Sequence, residues 1–442
     1  MSESAIRQAS HATYGLWHRL LRTAVDKHLE GLEHGLLTIE DRLGTRSYGN
    51  PNSQLRVHVT VEHPDFYRLI AFEGGIGAGE AYMRQYWRAD DLTSFIRILA
   101  RNRQVLSRVD GGAARISAWL MRGWHAFNRN SLSGSRRNIA AHYDLSNDFF
   151  KLFLDDSLMY SSAWYRDAND TLEQAQTAKL DRICQQLGLQ PGMRVIEIGT
   201  GWGGFALHAA RHYGCHVSTT TISQAQYDEA AARIREAGLE DQIQLLFEDY
   251  RNLDGQYDRL VSIEMVEAVG DHYVDDYFGR VAGLLKADGM ALIQAITIED
   301  YRYREALRRV DFIKRYIFPG SFIPSLSRLT QAAAKTDLML NNVHDLGASY
   351  ALTLAEWRRR FNSRLEAVKA LGFDSRFIRM WEFYLCYCEG GFAERAISDV
   401  QLLFSKPRAP NPLLTAMISR GESKSPVESV AEKSPVSVGQ QR

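Results

Sequence analysis

"VIEIGTGWGG", residues 195–204, decides the fold. One acid, Glu197, ends an apolar run, and four glycines follow it within six residues. The stretch follows a predicted strand, "MRVIEIG" (193–199), and precedes a predicted helix, "FALHAARHYG" (205–214). A glycine loop in that setting cradles a ligand. The order Gly199, Gly201, Gly203, Gly204 breaks the spacing of dinucleotide sites. A carboxylate two residues before the first glycine repels a pyrophosphate and suits a positive amino group. S-adenosylmethionine carries such a group, with a sulfonium and no phosphate. The alternative is a structural loop, but repeated glycines cost entropy without a packing return.

Further strands follow in "CHVSTTTIS" (215–223), "IQLLFEDY" (243–250), "YDRLVSIEMV" (257–266) and "GMALIQAITI" (289–298). Helical segments such as "AQYDEAAARIREAG" (225–238) alternate with them. The alternation predicts an α/β fold with a mostly parallel sheet covered on both faces. The second strand runs into "TTTISQAQ" (219–226) without an acid, so Thr221 and Gln226 are the polar groups open to a ribose. The third ends in "EDYRNL" (248–253), where Asp249 can accept from an adenine amino group. Tyr250 either covers that ring or fills the core.

The N-terminal part differs. Residues 1–35 read as a helix on Trp17, Leu20, Leu21, Val25 and Leu29. "LRVHVTVEH" (55–63) alternates as a half-buried strand, residues 63–87 read as helix, glycine turn and helix, and residues 89–102 as an amphipathic helix with an Asp cap. Together they predict a small mixed domain over 1–105. A helical connector is expected over 106–140, closed by a basic loop with Arg129, Arg136 and Arg137, then the α/β domain over 141–407. The Ser-, Pro-, Lys- and Glu-rich residues 408–442 predict a disordered tail.

Basic and acidic residues balance at 53 each, so no global field favours nucleic acid. Cys184, Cys215, Cys386 and Cys388 show no metal spacing and read as buried thiols. No run reaches the ~20 apolar residues of a membrane span, so the chain is expected to be soluble or peripheral.

Seven blocks in order carry a resemblance to the cyclopropane fatty acid synthases and related fatty-acid methyltransferases. They are "AHYDLSNDFFKLFLDDSLMYSSAWY" (141–165), "LEQAQTAKL" (172–180), "IEIGTGWGG" (196–204), "TTISQAQ" (220–226), "SIEMVEAVG" (262–270), "KRYIFPGSFIPS" (314–325) and "YCEGGFAERAISDVQLLFSK" (387–406). The resemblance implies a seven-stranded class I methyltransferase domain, Rossmann-like, behind a smaller N-terminal α+β lipid-binding domain. It implies S-adenosylmethionine contacts at Tyr160, Ser161, Gly199, Thr200, Gly201, Thr221, Gln226, Asp249, Tyr250 and Ile263, beside Glu197. It also implies a bound bicarbonate as base, held by Glu267, Tyr350, Gln294 and the backbone of Ser162 and Ile296.

Three positions depart from that pattern. Gln294 of "LIQA" stands where the family has His, Ser162 of "YSS" where it has Cys, and Ala268 of "EAVG" where it has His. An amide donates a hydrogen bond but does not titrate. Gln294 therefore either holds bicarbonate or marks a branch with a displaced base. Phe318, Phe322 and Ile323 read as an acyl-tunnel wall or as core. Arg302, Arg304, Arg308, Arg309, Lys314 and Arg315 read as a solvated helix or a lipid-facing patch. The expected activity is methylene transfer to unsaturated phospholipid chains to give cyclopropanes, with methyl- or methylene-branched chains as the alternative. The expected setting is the cytoplasmic face of the inner membrane, with phospholipids as partners, no nucleic acid, and room for a homodimer.

Overall fold

The computed structural model describes residues 14–103 and 145–410. The connector and basic loop expected over 106–140, and all but the first residues of the expected tail, lie outside the described residues.

The N-terminal part holds a four-stranded sheet of β1 (Leu36–Asp41), β2 (Gly44–Gly49), β3 (Arg56–Val61) and β4 (Trp87–Ala89), in the order β2-β1-β3-β4. The alternation in β3 buries Val57, Val59 and Val61, as the sequence predicts. Of the helix expected over 1–35, residues 1–13 lie outside the described residues, the helix Leu16–Leu29 is present, and the chain leaves it before Gly35. The chain turns at Gly35, with φ +100, into the β1–β2 hairpin. That hairpin escapes sequence reading because β2, "GTRSYG", has little apolar alternation. The expected glycine turn is a break at Gly74 (φ 55) inside the helix Asp65–Met83. Asp91 caps the helix Leu92–Arg101, its side chain accepting from Ser94 N at 3.0 Å.

The second sheet has seven strands, β5 (Arg194–Ile198), β6 (His216–Thr221), β7 (Ile243–Phe247), β8 (Tyr257–Ile263), β9 (Leu285–Ile298), β10 (Met339–Asp345) and β11 (Ile397–Ser405). Their order is β10-β11-β9-β8-β5-β6-β7. Pairing is parallel from β9 to β7, and β11 runs antiparallel to both its neighbours. Two apolar clusters cover the faces of this sheet. The last two strands lie outside the alternating pattern, and β10 is almost wholly exposed, so periodicity gave no sign of it.

The two sheets are joined through the helix Ser375–Ala393. Phe383 on it packs against Phe312 at 4.6 Å between ring centres, and Tyr82 donates to Glu382 at 2.7 Å. Gly79 of the helix Asp65–Met83 sits against this joint, where an added Cβ would stand 2.4 Å from the Phe312 ring. At Gly75, one turn earlier, a Cβ would meet nothing within 4 Å. Gly79→Ala should therefore overpack the joint and lower the unfolding free energy by about 1–3 kcal/mol. Gly75→Ala should be neutral or stabilising by up to about 1 kcal/mol. Urea denaturation of the two variants checks the contrast.

Candidate active site

The strand order reverses at β5, which has β6 on one side and β8 on the other. Crevices at such a reversal, beyond the carboxyl ends of the strands, are where open α/β sheets bind ligands. The glycine loop leaves β5 there with Gly199 at φ +100, Gly201 at +54 and Gly203 at +85. A Cβ at Gly201 would stand in open space, so this backbone is bare toward the cavity. Gly204 is bare for another reason, since its Cβ would lie 2.6 Å from the Met159 sulfur. The tryptophan among the glycines is a strut. Trp202 is buried, donates from Nε1 to Asn147 at 2.8 Å and packs on Phe150, tying the helix Asn147–Lys151 to the loop.

All eleven residues expected around the methyl donor line one cavity of about 1610 Å³. Glu197 is buried and accepts from Thr219 Oγ1 at 2.6 Å, and burial pushes its carboxyl up to about 8. An ammonium ion in the cavity is the partner such a group lacks. Thr200 Oγ1 lies 2.7 Å from Thr219 Oγ1, and Thr221 donates to Gln226 Oε1 at 2.9 Å. Asp249 is fixed by Arg251, through N and Nε at 3.0 Å each. Both readings of Tyr250 hold, because it packs edge-on against Tyr277 and also lines the cavity. Tyr160 pairs its hydroxyl with that of Tyr384 at 2.8 Å. Ser161 Oγ accepts from Lys179 at 2.8 Å, and Ile263 closes the wall at the end of β8.

The five residues expected around bicarbonate also come together, but around a residue that sequence reading did not single out. Glu264 follows β8 with φ +50, a left-handed conformation that favours glycine. Its Oε1 accepts from Ser162 N at 2.7 Å and from Gln294 Nε2 at 2.9 Å, and its Oε2 from Tyr350 Oη at 2.7 Å. Ile296 N donates to Glu267 Oε1, while Glu267 Oε2 has no partner. The donors implied for bicarbonate thus end on the protein's own carboxyl groups, and the residues do not fit a further bound anion. Gln294 and Ser162 do not face the cavity, in contrast to the sequence expectation; they stand behind Glu264, which does. The second hydrogen of Gln294 Nε2 goes to Asp399 at 2.8 Å, and Gln294 Oε1 accepts from Gln401 at 3.1 Å. Glu264 was detectable in principle, as an acid directly after a predicted strand and three residues before Glu267.

Burial pushes the carboxyls of Glu264, Glu267 and Asp399 upward. Glu267 reaches about 8, from burial first and then the charge of Glu264 beside it. Three donors and the nearby Lys179 pull Glu264 back toward the charged form. Glu264 holds three donors and Glu267 one, so Glu264 is the better placed of the pair to carry the charge. Lys179 is itself fully buried and pushed down to about 8, opposed by the charges of Glu264, Asp155, Asp399 and Glu197.

Beyond the carboxyl cluster the cavity wall turns apolar. Phe318, Phe322 and Ile323 line it as expected, and it continues along Leu37, Ile39, Phe66 and Phe95 of the N-terminal part. The basic patch needs correction. Lys314 is buried and donates to the carbonyls of Ala306 and Arg309, and Arg302 is paired with Glu299. Arg304, Arg308 and Arg315 do line the opening. The four cysteines are free thiols, and the described residues contain no metal-binding cluster of His, Cys, Asp or Glu.

Lys179→Met should lower the unfolding free energy by about 3–5 kcal/mol, because it leaves the buried carboxylates without their cation. Guanidinium denaturation at neutral pH checks it, and a change below 1 kcal/mol would refute the assignment.

A family profile described as "Mycolic acid cyclopropane synthetase" matches residues 130–402. The chain is 39% identical over 345 residues to the tuberculostearic acid methyltransferase UfaA1 of Mycobacterium tuberculosis, across 75% of this chain and 79% of that protein. It is 36% identical over 357 residues to the cyclopropane-fatty-acyl-phospholipid synthase of Escherichia coli, across 80% and 89%. Among solved structures, the mycolic acid cyclopropane synthase CmaA1 complexed with SAH and CTAB aligns with a TM-score of 0.58 at 31% identity, over 61% of this chain and 98% of that one. With the strand order and the glycine loop, these likenesses place the chain in the mycolic acid cyclopropane synthetase family, as an S-adenosylmethionine-dependent methyltransferase.

Proposed function

We propose that the chain transfers a one-carbon unit from S-adenosylmethionine to the double bond of an unsaturated phospholipid acyl chain and releases a methyl- or methylene-branched chain. One observation carries this reading: a single cavity runs from the glycine loop, past the carboxyl cluster, into an apolar wall. At about 1610 Å³ it exceeds the ~300–1,000 Å³ of ordinary small-molecule sites and has room for both a donor and an acyl chain. The branched outcome is favoured because the donors implied to seat the ring-forming family's base end on Glu264 and Glu267. The name of the tuberculostearic acid methyltransferase supports the same outcome. Ring closure is the second reading, supported by the name of the Escherichia coli relative.

When bound, S-adenosylmethionine supplies an electrophilic methyl group. An alkene is a weak nucleophile, so the residues here must align it and exclude water. Gly199 and Gly201 let the backbone approach the donor closely, and Glu197 offers its carboxylate to the donor's ammonium. Asp249 and Tyr250 stand where a base can be bound and covered. The apolar wall holds the acyl chain across the line of transfer. The carbocation left within the acyl chain by transfer then loses a proton, and the C–H bond nearest the base decides between branch and ring. Arg304, Arg308 and Arg315 at the opening suit phosphate headgroups. No helix among the described residues is long and apolar enough to cross a membrane. The three arginines support peripheral action at an anionic lipid surface.

Cells expressing the chain and fed methyl-labelled methionine should gain labelled phospholipid acyl chains heavier by one CH2. Fragmentation after derivatisation should find a branch. Unlabelled lipids would refute the function, and a cyclopropane would replace the branched reading with the ring.

Donor binding should depend on pH. Burial keeps Glu197 neutral below about 8, whereas an ammonium ligand binds its ionised form. Affinity for S-adenosylhomocysteine should therefore rise with pH toward about 8, by up to about tenfold per unit, and level off above it. Calorimetric titration checks this, and Glu197→Gln should weaken binding and flatten the profile.

A further inference from the structure

We propose that Glu264 is the catalytic base and that its carboxylate replaces a bound bicarbonate, so that the reaction of this chain needs no free anion. The inference rests on the proposed one-carbon transfer and deepens it. The geometry supports it at three points. First, Ser162 N, Gln294 Nε2 and Tyr350 Oη converge on a single anion, and that anion is the Glu264 side chain. Second, Glu264 lines the reaction cavity while Gln294 and Ser162 stand behind it. Third, Glu264 holds a left-handed backbone, φ +50, which a glycine would adopt freely. A non-glycine residue kept in that conformation at a cavity wall indicates that the side chain is needed there.

A carboxylate offers about four acceptor sites, and three are filled by these donors. The fourth, on Oε2 beside Tyr350, is open to a substrate proton. After methyl transfer, a C–H bond next to the cationic carbon breaks. Its electron pair becomes the π bond of a methyl-branched alkene, or of a methylene branch when a hydride has first shifted from the methyl-bearing carbon to the cationic one, and its proton moves to Glu264 Oε2. Glu264 is left neutral and returns the proton to solvent when the product leaves. Atoms and electrons balance without a further reactant. Gln294 is a positioning residue, because its two amide hydrogens hold Glu264 and Asp399 at once. An imidazole could not supply both donors in its neutral form.

The test uses the purified full chain, methyl-labelled S-adenosylmethionine and vesicles of phosphatidylglycerol with cis-monounsaturated chains. The wild-type rate should be the same in carbonate-free buffer and with added bicarbonate. Glu264→Gly opens the seat and relieves the backbone. It should lose about 10²-fold or more in carbonate-free buffer and regain activity on adding bicarbonate, with affinity for S-adenosylhomocysteine unchanged. Glu264→Gln, close in shape but unable to ionise, should lose the same activity without rescue, which covers failure of the glycine variant to fold. Binding of ¹³C-bicarbonate, followed by NMR, reads the seat without turnover: none for wild type, binding for Glu264→Gly. A wild-type rate that falls without carbonate, bicarbonate bound by wild type, or full activity of either variant in carbonate-free buffer would overturn the proposal. If wild type transfers no label to lipid, the functional reading and the base assignment fall together. Bicarbonate binding then still decides whether Glu264 fills the anion seat.

Discussion

The site depends on one buried ammonium group. Lys179 lies on the helix Leu172–Gln186, is fully buried, and holds Ser161 with its Nζ. Around it stand Glu264, Asp155, Asp399 and Glu197, more negative charge than one cation can balance in so dry a place. The excess is removed by protonation: burial pushes Glu197 and Glu267 to about 8 and Asp399 well above the carboxylate range. What remains is a near-neutral pocket whose carboxylates are poised to ionise when a cation arrives. A donor with a sulfonium and an ammonium, and a substrate that becomes cationic during reaction, are ligands for which such a pocket is built.

The sheet brings these groups together from strands far apart in sequence. The glycine loop leaves β5, Glu264 leaves β8, Gln294 and Ile296 stand on β9, and Asp399 and Gln401 on β11. Gln401 pairs directly with Gln294, and Asp399 with Ile296, so alternate residues of two antiparallel strands present one polar face behind the cavity. The chain Gln401 to Gln294 to Glu264 runs across that face. Gln401 and Gln294 are both buried, so losing either hydrogen bond leaves a buried amide group unsatisfied. The cluster is therefore stiff, and the position of the Glu264 carboxylate is set by the sheet rather than by its own rotamer.

Much of this was legible from sequence. The five parallel strands, the glycine loop, the Asp91 cap and the break at Gly74 all follow from local signals that the tertiary structure does not override. Nine of the eleven donor residues lie within a few positions of predicted strand ends, where local signals mark them, whereas Tyr160 and Ser161 lie near no strand and came only from the family resemblance. Glu264 was missed because its role depends on Ser162, Gln294 and Tyr350, which lie 102, 30 and 86 positions away along the chain. Nothing local marks an acid after a strand as the centre of such a cluster. The departure at Gln294 was visible and left two readings open, a bicarbonate seat or a displaced base, because its partner Glu264 is not marked by any local signal. Lys314 misled for the opposite reason: a cationic sequence neighbourhood says nothing of which member turns inward to cap carbonyls.

A base tied to the backbone has chemical consequences that a diffusing anion does not. Each hydrogen bond to the Glu264 carboxylate makes it a weaker base. A proton next to a carbocation is so acidic that base strength is hardly needed to remove it, and position outranks strength. Three donors trade away basicity that the reaction does not use and fix the one coordinate that selects the product. The proton removed is then whichever one the apolar wall of Phe318, Phe322 and Ile323 brings to Oε2. Product choice becomes a matter of how the acyl chain lies in the tunnel, not of how an anion sits in its seat. On the proposed assignment, ring or branch follows from two things together, the fixed place of the Glu264 carboxylate and the way the tunnel wall presents the acyl chain to it.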